Sequence, residues 1–132
     1  MQLLGNEKLL FADKIGKINM YGWTQERTFV ISSAAVYNIS KTEVKRRILL
    51  KVICGISKAA HSSEFTIHVP TEYDYRFDYK NRDHIINILK LLYWIERKEN
   101  CPVYQIPSKS LKEVTTTESD MKNKHRRDPF VD

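Results

Sequence analysis

The chain has 132 residues, two cysteines and a net charge of +6. That length suits one domain with a single core, two cysteines are too few for a disulfide framework, and no apolar run approaches the length of a membrane span. The basic excess favours acidic partners: anionic lipid heads, phosphates, acidic protein surfaces or nucleic acid.

The opening residues, MQLLGNEK, lack the basic-then-apolar layout of a secretory signal, so a cytoplasmic chain is expected. Residues 1–13 read as a lead-in, with a short helical turn over 5–12. Lys14–Tyr21 reads as a first strand with Gly16 at a bulge, and Gly22–Gln25 is turn-like. Arg27–Ile31 and Val36–Ile39 are rich in β-formers, with a hairpin turn at 32–35 between them. After a turn at Ser40–Glu43, Lys45–Ile53 forms a strand that is basic at its start and apolar at its end. Cys54, between Ile53 and Gly55, reads as a small core residue. Residues 57–64 form a polar loop or irregular strand.

Phe65, Ile67 and Val69 alternate with polar residues, and Tyr73, Tyr75, Phe77 and Tyr79 alternate with Asp74, Arg76 and Asp78. Residues 81–100 then carry the one long helical pattern. Ile85, Ile88, Leu89 and Leu92 share a stripe, and Ile86, Leu91, Tyr93 and Ile95 widen it. Asn81 or Asp83 can cap its start and Pro102 limits its end. Trp94 lies opposite, beside Asn87, Lys90 and Lys98. Residues 101–132 read as an extended or disordered tail, pinned to the body by Val103, Tyr104 and Ile106. Consecutive short strands followed by one helix favour an antiparallel sandwich or barrel, a mostly β (α+β) fold, with residues 14–100 as its body.

The segments RTFVISSAAVYNI, KRRILLKVICGIS and SSEFTIHVPTEYDYRFDY carry a family likeness. The chain resembles a pleckstrin-homology-like (PH-like) domain of the myosin-I tail homology type. Through HVPTEYDYRF and SLKEVTTTESDMKN it is similar to the N-terminal domain of some protist AGC-type protein kinases, over roughly residues 8–125. The resemblance implies a bent seven-stranded antiparallel barrel capped by one C-terminal helix. It also implies a phosphoinositide pattern on the first hairpin: a lysine near the end of the first strand, then a basic–x–arginine triplet in the second. Lys17 matches the lysine and Arg27 the final arginine. Gln25 stands at the middle basic position, with Glu26 beside it.

The residues themselves leave several readings open. Lys17 and Arg27 either bind an anion or are solvated strand residues paired with Glu26 or Glu43. Lys45, Arg46 and Arg47 either extend that patch or guard a solvated edge. Alternation sends Lys45 and Arg47 one way and Arg46 the other, so a basic rim is expected if Lys45 and Arg47 lie beside Lys17 and Arg27. The tyrosine row suits a core better than base stacking, because Asp74 and Asp78 would repel a phosphate backbone, and nucleic acid is therefore a poor partner. The four histidines have no metal-ligand spacing, no motif poises a nucleophile, and no kinase glycine-rich loop, HRD or DFG is present. No cofactor or catalysis is expected. Trp94 is either covered by the N-terminal LLF or the tail, or it docks a protein together with Val103, Tyr104 and Phe130. Two functions stand: an adaptor held at anionic membrane, or a protein-interaction piece of a larger assembly, cytoskeletal by analogy.

Overall fold

The computed structural model describes residues 6–126. Phe130, one of the expected docking residues, lies outside them. The strands are β1 (Leu9–Ile18), β2 (Thr24–Ser32), β3 (Ala35–Ser40), β4 (Glu43–Leu49), β5 (Gly55–Ala59), β6 (Glu64–His68) and β7 (Tyr75–Asp78). The helix α1 (Arg82–Arg97) follows, then β8 (Val103–Ile106) and a second helix α2 (Glu118–Arg126). One sheet runs β4-β3-β2-β1-β7-β6-β5-β8. β1 to β7 pair antiparallel with their neighbours, and β8 pairs parallel with β5.

The bent antiparallel sheet capped by a helix agrees with expectation, with three differences. The sheet is not closed: β4 and β8 are its two edges, and the described residues form eight strands and two helices. The expected helical turn over 5–12 is instead the start of β1, because Phe11 packs onto the core beside Phe29, their ring centroids 6.3 Å apart. The bulge lies between Leu9 and Phe11 rather than at Gly16, which pairs with Glu26 on one side and Asp78 on the other.

The core is the concave face. Ile15, Phe29, Ile31, Val36, Ile48, Ile56, Phe65, Ile67 and Phe77 are buried there, and Ile85, Ile86 and Leu89 of α1 close it. Phe29 and Phe77 stack edge to face at 5.1 Å, worth about 1 kcal/mol beyond their burial. Asn81 sits at the helix N-cap without a side-chain cap bond, and Lys98 ends the helix in left-handed backbone, φ 58°. Leu91 and Ile95 do not widen the buried stripe. They are 59% and 56% exposed, and with Trp94 at 46% they form an outward apolar ridge.

The expected loose tail is also corrected through residue 126. β8 extends the sheet, and the chain then crosses the outer face of β5, β6 and β7. Leu111 is fully buried there, and its amide donates to Glu64 Oε1 at 2.9 Å. Thr66 and Thr115 hydroxyls meet at 2.8 Å, and Asp74 N donates to the Thr116 carbonyl at 2.8 Å. Cys54 is exposed and Cys101 buried, the reverse of the expected placing for Cys54, because Cys54 lies in the short link before β5 begins.

Candidate functional site

The two ends of the barrel-like body differ. One is plugged by α1. The other, the mouth, gathers the last residues of β1, the first of β2, the end of β3, the start of β4 and the start of β7. Inward-facing positions here are polar or cationic. On β2 the inward parity set by Ile31 and Phe29 continues to Arg27. On β1 it runs from Ile15 to Lys17, on β3 from Val36 to Asn38, on β4 from Ile48 to Arg46, and on β7 from Phe77 to Tyr75.

Lys17, Arg27 and Arg46 therefore converge. The Arg46 guanidinium lies 3.7 Å from the Tyr73 ring centroid and 4.3 Å from that of Tyr75. Lys17 Nζ lies 5.9 Å from the Tyr75 ring. Asn38 Nδ2 donates to the Tyr75 hydroxyl at 2.6 Å. Burial pushes the Tyr75 phenol up to about 12, so it stays neutral. Burial lowers the Lys17 ammonium below its usual range, and the charges of Arg27 and then Arg46 lower it further, against a weaker pull from Glu118.

Their partners are incomplete. Arg46 Nη2 donates to the Tyr73 carbonyl at 2.5 Å and lies 3.5 Å from Glu72. Its Nε and Nη1 are buried without a partner among the described residues, as are Arg27 Nε and Asn38 Oδ1. Arg27 otherwise donates to the Glu26 carbonyl at 2.8 Å and to Gln25 Oε1 at 3.3 Å. The ion pairs that would have made Lys17 and Arg27 ordinary surface residues are not formed among the described residues: Glu26 faces outward to Lys14 at 3.6 Å, and Glu43 pairs with Lys45 at 3.1 Å.

A cleft of about 540 Å³ opens at the mouth, between the β1–β2 turn and the C-terminal segment. Lys17, Gln25, Tyr73 and Tyr75 line its inner wall, and Lys112, Glu113, Glu118 and Asp120 its outer one. α2 starts at this wall with a reciprocal cap: Asp120 N donates to Thr117 Oγ1 at 3.1 Å and Thr117 N to Asp120 Oδ2 at 2.9 Å.

The basic run divides in the opposite way from the expected rim. Arg46 is the member that joins Lys17 and Arg27. Lys45 is the extra residue of a bulge, since Asn38 pairs with Arg46 and Ile39 with Val44. Arg47 faces the outer surface, where it meets Glu7 at 3.1 Å and the Tyr37 hydroxyl at 2.9 Å. Burial pushes the Glu7 carboxyl up, but hydrogen bonds from Ser32, Tyr37 and Arg47, with the Arg47 charge, outweigh it and hold the group below 4.5. Trp94 and Tyr104 are exposed, while Val103 packs against the core.

A Ser–His–Asp relay also exists. Ser57 Oγ lies 2.7 Å from His68 Nε2, and His68 Nδ1 lies 2.9 Å from Asp74 Oδ2. Asp74 in turn accepts from the amides of Val69 and Thr116 at 2.9 and 3.0 Å. Ser57 is 3% exposed, and the mouth cleft reaches Asp74 but neither Ser57 nor His68. The relay is a strut tying β5, β6 and the C-terminal segment together.

Nothing in the sequence pattern marks Asn38, Tyr73 and Tyr75 as neighbours of the cations. Gly22–Gln25 is turn-like in the sequence, but the exposed aromatics at this β1–β2 turn, Tyr21 and Trp23 at 75% and 72%, were not singled out. The available signal was a run of Met20, Tyr21 and Trp23 in a turn next to Lys17.

The family model described as "Unconventional myosin tail, actin- and lipid-binding" matches residues 1–127. The chain belongs to this family. Among solved structures the fold is similar to the hSac2 domain of the human phosphoinositide phosphatase Sac2, with TM-score 0.62 and 11% identity, covering 81% of this chain and 82% of that one. It is also similar to the N-terminal PH domain of human ARAP2, with TM-score 0.59 and 16% identity over 83% and 98% of the two chains. For the PH domain of human oxysterol-binding protein-related protein 11 the TM-score is 0.56 and the identity 18%, over 71% and 85%. No curated protein sequence matches the chain significantly. It is a myosin-tail-type domain with a PH-like fold. No helix among the described residues is long and apolar enough to cross a membrane.

Proposed function

We propose that this myosin-tail domain is a non-catalytic, cytoplasmic targeting module that holds its assembly at anionic membrane through the mouth. The observation that carries this reading is the convergence of Lys17, Arg27 and Arg46 at one aromatic floor, with three buried guanidinium nitrogens left without acceptors among the described residues. An unpaired buried donor costs about 1–3 kcal/mol, a cost that a phosphate oxygen would offset. Clustered phosphates of a lipid headgroup suit Lys17 in the wall of the cleft, with Arg27 and Arg46 close enough behind it to lower its ammonium. Lys45 and Arg47 contribute to the general field only, since each already has a carboxylate partner. If the likeness to kinase N-terminal domains extends to function, the same module would carry a catalytic domain to that surface.

Vesicle co-sedimentation at low and physiological salt tests this, with neutral, phosphatidylserine-containing and phosphoinositide-containing vesicles. The wild-type chain is expected to bind the anionic vesicles, and Lys17→Glu/Arg27→Glu to lose them. Equal binding by both proteins would remove the mouth from the mechanism, and no binding at either salt would remove the membrane.

A second reading rests on a different observation: the Leu91, Trp94 and Ile95 ridge, flanked by exposed Lys90 and Lys98, at the opposite end. A large apolar ridge with basic edges suits an acidic protein surface. The family description names actin, and filament co-sedimentation with wild type and Trp94→Ala tests it. Pelleting that ignores the substitution would rule out the ridge.

A further inference from the structure

The chain's two cysteines are far apart in sequence, and the pairing of β5 with β8 brings them to neighbouring positions. Ile56 pairs with Val103 in parallel, and Ile56 N donates to the Pro102 carbonyl at 2.9 Å. One step back along both strands, a Cβ on Gly55 would lie 3.5 Å from Pro102 Cβ, so the two backbones still run side by side there. One further step back reaches Cys54 on one strand and Cys101 on the other. Cys54 is itself held on the sheet, its amide donating to the His68 carbonyl at 3.0 Å. Neighbouring strands run about 4.8 Å apart, inside the Cα separation of roughly 4.4–6.8 Å that a disulfide spans. Alternation from Ile56 and Val103 also gives both cysteines the same side of the ladder.

The two thiols share surroundings. Burial pushes both up, the Asp74 charge adds to this at Cys54 and the Cys54 charge at Cys101, and the Arg97 charge lowers both. Their access differs: Cys54 is exposed, while Cys101 is 6% exposed and packs in the core cluster with Ile85 and Leu89 of α1. We propose that Cys54 and Cys101 are a redox-active dithiol, closed to an internal disulfide by a small-molecule disulfide such as oxidised glutathione. Access sets the order of events. The Cys54 thiolate attacks the S–S bond of oxidised glutathione, forming a mixed disulfide and expelling one glutathione thiolate. The Cys101 thiolate then attacks Cys54 Sγ, forming the internal bond and expelling the second. The protein gives up two electrons and two protons, and one oxidised glutathione becomes two reduced ones. In a reducing compartment the dithiol is the resting form, and the bond forms under oxidative load. Closed, it staples the link after α1 to the head of β5. That link starts β8, whose own hold on β5 is four residue pairs, and with it the whole C-terminal segment.

The test holds the whole chain in a series of reduced and oxidised glutathione mixtures. Remaining thiols are then alkylated in denaturant, and the digest is mapped by mass without reductant. Wild type is expected to yield a peptide that joins Cys54 to Cys101 within a monomer, and to form it faster as pH rises, because both thiols are raised. Cys101→Ala, with its fold checked by a thermal melt, should instead retain glutathione on Cys54. Oxidation should lift the thermal midpoint of wild type by about 5 °C or more and leave that of Cys54→Ser unchanged. Wild type that retains glutathione on Cys54 while Cys101 is alkylated, that links only into dimers, or that keeps both thiols free across the series would overturn the pair. A bond that forms without moving the midpoint would overturn the staple.

Discussion

Arg46 and Arg47 are neighbours with opposite tasks. Arg46 is 8% exposed and stacked on two tyrosines, with Nε and Nη1 unpartnered, so its burial does little for the folded state. Arg46→Met should leave the thermal midpoint nearly unchanged while lowering affinity for anionic vesicles at least about tenfold, the value of one charged hydrogen-bonding group. A large drop in stability together with retained binding would reverse that assignment. Arg47→Ala should do the opposite. It strands Glu7, whose side chain is 7% exposed, and should cost about 1–2 kcal/mol at neutral pH with vesicle binding little changed. Because the Glu7 carboxyl is held below 4.5 in the folded chain, its stabilisation is present above about pH 4.5 and is lost as pH falls through the depressed value. The gap between wild type and Arg47→Ala in thermal melts should therefore narrow from pH 7 to pH 3. A constant gap would mean that Arg47 acts by packing alone.

The C-terminal segment shows how far such assignments depend on an element that the sequence hides. Leu111 is fully buried by it on the outer face of the sheet, and Leu111→Ala should cost about 2–5 kcal/mol in chemical unfolding, as a core leucine does. A cost below 1 kcal/mol would return residues 107–117 to the status of a loose tail. The antiparallel strands were legible because Phe65, Ile67, Tyr75 and Phe77 alternate against one buried face. β8 was only partly so: it is four residues long, pairs parallel, and leaves Val103 and Ile106 half-buried with Tyr104 and Gln105 exposed between them. The crossing that follows is fixed by main-chain bonds and threonine hydroxyls, which leave no periodicity in the sequence. The mouth was half legible. Lys17 and Arg27 stood out through the family pattern, but which of Lys45, Arg46 and Arg47 turned inward depended on strand parity and on the bulge at Lys45. α2 adds an acidic wall to that mouth. Glu118 opposes Lys17, so Glu118→Gln should raise anionic-vesicle affinity a few-fold in the same sedimentation assay, within the small range of an exposed pair. A fall in affinity would make the helix part of the membrane-facing surface.

Taken whole, the molecule has two poles set by one alternation rule. Inward positions are apolar where α1 closes the core and become cationic where β1, β2 and β4 run on beyond it. β1 spans both regimes, from Phe11 to Lys17, and a strand of its length extends about 30 Å. The apolar ridge of α1 and the cationic mouth therefore lie at opposite ends, with a packed sheet between them that leaves neither site contacting the other. Sites separated in this way act independently and additively. A domain that binds anionic membrane at one pole and an actin filament at the other should join the two. Mixed with filaments and phosphoinositide-containing vesicles, wild type is expected to carry the vesicles into the low-speed filament pellet. Lys17→Glu/Arg27→Glu should still pellet with filaments but leave the vesicles behind, and Trp94→Ala should still float with vesicles but leave the filaments. Competition, in which vesicles release the domain from filaments, would show that both partners use the mouth, and the α1 ridge would then need no partner to explain it.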